Sequence, residues 1–245
     1  MENFKEFLNE VFEFDRNSLE LHPDTNLIDY HSGEERFYLG KRLKTIPFKE
    51  MIFHTPVPDL PKDKRNLWVH VMRYPSGYGN INGPHLQVHF DINHVSDHQY
   101  LDSKRHLDDV HKSGDSLEKP EPGYILSHAF NAKTGLDPLT HGGGNAFSGL
   151  NRAKGTGLST IFRKIAPHIV KIAWHASKLH PTLPVAFSAG SDVPGHAERK
   201  FLMYDKITHA LRDANLIEPE SKYVMNNFKF QGQIPYFKVI KPIHR

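Results

Sequence analysis

The chain has 245 residues, 38% of them hydrophobic and 24% charged, enough to bury one good core or two small ones. Its net charge is +3 and its pI about 8.9 with no basic run, which suits phosphate or carboxylate partners but makes nucleic acid an improbable one. The absence of cysteine excludes disulfides, a thiol nucleophile and thiolate metal sites.

No apolar run approaches the ~20 residues that a bilayer span requires. The opening stretch, "MENFKEFLNEVF", is acidic and amphipathic where a signal peptide is basic and then apolar, which predicts a cytoplasmic protein and no membrane partner. Secretion without a cleaved peptide stays open. Histidine is abundant, at 18.

Phe4, Phe7, Leu8, Val11 and Phe12 fall at helical spacing and predict an amphipathic helix over residues 3–13. From Asn17 to Leu60 the pattern is irregular, with a short helix expected near Glu34 to Arg42 and an extended connector in "PVPDLP". Residues 1–60 therefore read as an N-terminal extension packed on a core domain of residues 61–245.

"NLWVHVMRY" and "PHLQVHFDI" alternate apolar with polar residues around a Gly/Asn/Pro loop and predict two antiparallel strands. Ser96 to Pro122 reads as a surface helix and a loop, "YILSHAF" as a third strand, and residues 131–149 as a glycine-rich loop. A helix is expected from about Leu158 to His180, interrupted or bent at Pro167. The strand "LPVAFSA", a helix from Ala197 to Asn215, and strands in "KYVMNNFKF" and "YFKVIKP" complete the chain. Such alternation predicts an α+β fold with a mixed sheet.

Arg152, Ala153, Lys154, Gly155, Thr156 and Gly157 spell R-x-x-G-x-G directly before Leu158 and an apolar helical run. Glycine lets backbone amides approach a ligand closely, and the first turn of the following helix offers unpaired N–H groups and a positive dipole end. Together these suit a pyrophosphate. A Walker loop would need Lys and then Ser or Thr after its last glycine, where Leu158 stands. A dinucleotide fingerprint would want a small residue where Thr160 stands.

The motif resembles that of the GCN5-related N-acetyltransferase (GNAT) family, and the helix–strand–helix–two-strand order downstream is similar to that family's. The resemblance implies a mixed, mostly antiparallel sheet with helices on both faces. It also implies acetyl-coenzyme A as co-substrate, held by amides from about Lys154 to Leu158 with charge from Arg152 and Lys154, and no metal. The acceptor would be an amine on a small molecule or a protein, with charged tRNA the one nucleic acid in play, and the chain a monomer or homodimer.

On the same resemblance Tyr204, in "FLMYDKI", would protonate the departing thiolate; its other reading is a core aromatic on an amphipathic helix. A base for the amine is sought among Glu198, His128, His196 and Asp91, with spacing singling out none.

Two other classes stay in view. His85 and His89, and again His94 and His98, stand four apart, which on a strand separates each pair by roughly 13 Å. A metal-dependent hydrolase or oxygenase drawing on His85, His89, Asp91 and His94 is one alternative; a binding module whose glycine loop meets a phosphate without catalysis is the other. "FSAGSD", around Ser188 and Ser191, lacks the G-x-S-x-G elbow of a serine hydrolase.

Overall fold

The computed structural model describes residues 12–39, 42–60, 65–76, 81–93, 158–188, 196–220, 222–225 and 236–244. In chain order these form β1 (Asn26–Leu39), β2 (Arg42–Pro56), β3 (Asn66–Tyr74), β4 (His85–Asn93), α1 (Leu158–Leu179), β5 (Val185–Ser188), α2 (His196–Asp213), β6 (Lys222–Met225) and β7 (Tyr236–Ile240). One 7-stranded sheet runs β1-β2-β3-β4-β5-β7-β6. Every neighbouring pair is antiparallel except β4 and β5. The chain is therefore α+β, with a mixed and mostly antiparallel sheet.

Period-two alternation sorts the strands into two faces. Leu67, Val69 and Val71 of β3, Leu86, Val88 and Phe90 of β4, and Val185 and Phe187 of β5 belong to one buried cluster. The cluster also takes Ile165, Ile169, Ile172 and Ala176 of α1, spaced at one helical face, and Met203, Tyr204, Ile207 and Leu211 of α2. Both described helices thus pack on the same sheet face. The helix expected over residues 3–13 lies outside the described residues apart from its end, where Phe12 packs against this core.

Two contacts orient α1. Lys164 Nζ donates to the carbonyl of Asp59 at 2.7 Å, just beyond β2 and beside the start of β3, where Val57 N–H bonds Arg65 O. At the other end, Arg73 and Lys49 act electrostatically on His180. Since Asn66 pairs Asn93 and Arg73 pairs Leu86, α1 starts at the carboxyl end of β4 and returns to the start of β5. The helix continues through Pro167, so the interruption considered there does not occur; proline forfeits one N–H, toward Arg163, and its neighbours carry the turn.

The largest departure from expectation is in residues 26–56. Where a short helix was expected near Glu34 to Arg42, Glu34 pairs Pro47 and Leu39 pairs Arg42 in a long β1–β2 hairpin. Cross-strand pairing decides this segment, because Phe37, Tyr38, Ile46 and Phe48 favour strand and no sequence periodicity announces it. The boundary drawn after residue 60 falls between β2 and β3, which are hydrogen-bonded from Lys49↔Arg73 to Pro56↔Asn66. The expected elements in residues 96–149 lie outside the described residues. No helix among the described residues is long and apolar enough to cross a membrane.

Candidate functional site

Among the described residues one strand pair is parallel, β4 with β5. Among the described residues β5 meets β4 at Leu86↔Val185, Gln87↔Ala186 and Val88↔Phe187. Beyond Val88, β4 continues through His89 to Asn93 paired with β3. The crossover sets the N-terminus of α1 at the carboxyl end of this pair, the position at which open α/β sheets receive ligands. A helix N-terminus there presents N–H groups and the positive end of a dipole.

Of the expected pyrophosphate-binding residues, Arg152 to Gly157 lie outside the described residues and Leu158 opens α1. His128 also lies outside them. His196 and Glu198 stand in the first turn of α2, and Asp91 lies on β4 opposite Trp68.

Tyr204 is fully described. It is 0% exposed, and its ring stacks on Phe187 with centroids 5.0 Å apart. Phe187 is the β5 partner of Val88. The ring is thus a core aromatic, yet its hydroxyl is buried with no hydrogen-bond partner among the described residues. Such a group costs about 1–3 kcal/mol. Burial pushes its pKa up, so the phenol stays protonated and can donate a hydrogen bond more readily than it gives up its proton.

The opposite face of the sheet is unusually polar. His31 of β1 lies across from Glu50 of β2, and His70 of β3 across from His89 of β4. Glu50, 1% exposed, places Oε1 2.6 Å from His70 Nδ1 and Oε2 3.0 Å from His31 Nε2. His31 Nδ1 stands 3.4 Å from Asp29 Oδ2. A carboxylate taken out of water needs such partners, since desolvation alone would drive it neutral.

Along β4 a second line of polar groups meets this row. The Gly83 carbonyl accepts from His85 Nδ1 at 3.0 Å, and the Gln87 amide stands 2.8 Å from His89 Nε2. Burial lowers the His85 pKa against hydrogen bonds with Gly83 and Gln87, so its ring is neutral and Nε2 is an acceptor. With the amide in this orientation, that nitrogen and Gln87 Oε1 have no hydrogen-bond partner among the described residues, although Gln87 acts on the ring. Exchanging the amide oxygen and nitrogen resolves both deficits: the amide donates to His85, and its oxygen accepts from His89 Nε2–H.

Sequence reasoning weighed His85 and His89 as metal ligands and passed over Glu50, His70 and Gln87. The available signal was the i, i+2 repeat of polar residues in "HLQVH"; joining it to Glu50 and His31 requires the register of four strands. Among the described residues no group of three or more His, Asp or Glu side chains is arranged to hold a metal ion, and His94 and His98 lie outside them. Compared with known proteins, the chain matches no family model, no curated protein and no solved structure.

Proposed function

We propose that the chain is an N-acyltransferase that moves an acetyl group from acetyl-coenzyme A to a primary amine by direct attack. The observation that carries the reading is the junction at Leu158: the R-x-x-G-x-G run ends where α1 begins, and α1 begins at the carboxyl end of the parallel pair. Backbone amides from Lys154 to Leu158 would face the pyrophosphate, with Arg152 and Lys154 supplying charge-assisted hydrogen bonds.

The pantetheine arm would lead the thioester along the carboxyl end of the β4–β5 pair, where the Tyr204 hydroxyl donates a hydrogen bond to the sulfur as negative charge gathers on it. The acceptor is an amine on a small molecule or a protein. In a thermal-shift comparison, acetyl-coenzyme A at 100 times its Kd stabilises the chain by about 2.7 kcal/mol, while ATP, NAD and zinc do not. A shift with zinc alone, or with none of the four, overturns the reading.

A further inference from the structure

We infer that Lys49, Arg73 and His180 form a site for a phosphate dianion, at the corner where the carboxyl end of α1 lies over β2 and β3. The site does not depend on the acyl transfer proposed above. With 22 residues, α1 is about 33 Å long, and the glycine run precedes its other end.

Strand register builds the corner. Lys49 of β2 pairs Arg73 of β3, and Arg73 pairs Leu86 of β4. By alternation Lys49 and Arg73 share the sheet face of Met51, Phe53, Val69 and Val71, on which α1 packs. Phe53 meets His175 of α1 with ring centroids 6.1 Å apart, and α1 ends four residues later at Leu179. His180 opens the turn back to β5. Its N–H reaches Ser177 O at 3.1 Å, its carbonyl accepts from Leu183 N–H at 3.0 Å, and the Pro184 carbonyl accepts from Leu86 N–H at 2.9 Å. The turn is thereby tied to the strand that pairs Arg73.

Three basic groups gather there without a counter-charge. Arg73 and Lys49 both act on His180 as like charges and add to burial in lowering its pKa. None of the ion pairs among the described residues includes any of the three. On β1 Lys49 faces the neutral Ser32, and Glu34, opposite Pro47, is its diagonal neighbour; Glu50 lies on the other face, bound to His70 and His31. Arg73 Nε is buried with no hydrogen-bond partner among the described residues, whereas Lys49 is exposed.

A buried donor left unmade and cations that repel one another both cost free energy. An oxyanion relieves both. The planar fork of Arg73 matches two phosphate oxygens, Lys49 brings a point charge from the solvent side, and His180, once protonated, adds a third donor. A carboxylate offers these cations one negative charge where phosphate offers two.

The test uses the whole chain and reads the His180 ring by NMR, because the glycine run could also take phosphate. His180→Gln identifies the resonance. Inorganic phosphate is titrated at ionic strength fixed with sodium chloride, which holds screening constant. Saturable binding is expected, with the His180 pKa raised by about 1, a tenfold preference of the anion for the protonated ring. Lys49→Gln and Arg73→Gln should each weaken phosphate at least about tenfold with urea midpoints at or above wild type; Lys49→Gln, at an exposed position, carries the test should Arg73→Gln fail to fold. Equal binding of methyl phosphate assigns the site to a phosphomonoester, and its exclusion assigns it to free phosphate. No saturation, an equal response to acetate, or wild-type phosphate binding by Lys49→Gln would overturn the inference, whatever becomes of coenzyme A binding at the other end of α1.

Discussion

Tyr204 joins two demands in one side chain: a ring that fills the core against Phe187 and a hydroxyl that no described group satisfies. Tyr204→Phe separates them. Removing an unpaired buried hydroxyl should leave stability unchanged or raise it by up to about 1 kcal/mol. If the hydroxyl supports a departing thiolate, the same variant loses about 100-fold in kcat with coenzyme affinity retained. Raised stability with full turnover would leave Tyr204 a core residue only. Its place on the inner face of α2 was legible from the spacing of Phe201, Tyr204, Ile207 and Leu211, but its unsatisfied hydroxyl was not, because satisfaction depends on neighbours distant in the chain. Glu50 and His70 were illegible for the same reason: 20 residues and a strand register separate them.

Elements that carry their own period were readable. The helix expected from Leu158 to His180 spans Leu158–Leu179, and that expected from Ala197 to Asn215 spans His196–Asp213. The β1–β2 hairpin was not, since "HSGEERFYL" has adjacent acids and no alternation, and only its partner strand specifies it. The end of α2 shows local chemistry suited to its geometry. Leu216 N–H reaches Leu211 O at 2.9 Å and Asn215 N–H reaches Arg212 O at 2.8 Å, a Schellman closure with Asn215 at φ 55. Leu211 and Leu216, each 1% exposed, provide its hydrophobic contact. Asn215→Ala is expected to cost about 1 kcal/mol in urea unfolding, with Asn215→Gly within about 0.5 kcal/mol of wild type; equal losses would show that backbone conformation is not what Asn215 supplies.

Across the whole molecule the histidine excess acquires a physical reading. His85, His168, His175, His180 and His244 all have pKa values lowered chiefly by burial. His168 falls from 6.5 to about 4, with His22 and Lys171 adding to the effect. Between about pH 4 and 6.5 the unfolded chain then binds protons that the folded chain refuses, so stability rises with pH across that window and is lost as acid is added. For His168, partly exposed, the loss is about 1–2 kcal/mol after allowance for solvent screening. His168→Phe should flatten the pH dependence of urea unfolding between pH 4.5 and 7.5 by that amount; parallel curves for variant and wild type would count against it. The α+β class and the strand–helix alternation could be read from the chain, whereas the parallel pairing of β4 with β5 could not, because those strands meet across the long segment between them. Acyl transfer from coenzyme A requires the glycine run before α1 to bind a diphosphate. Calorimetric titration of coenzyme A into wild type and Gly157→Asp tests this most directly: saturable one-to-one binding is expected for wild type, with at least about a 100-fold loss when a side chain and a negative charge enter the loop. Equal affinity in the two proteins, or no binding by either, would contradict it.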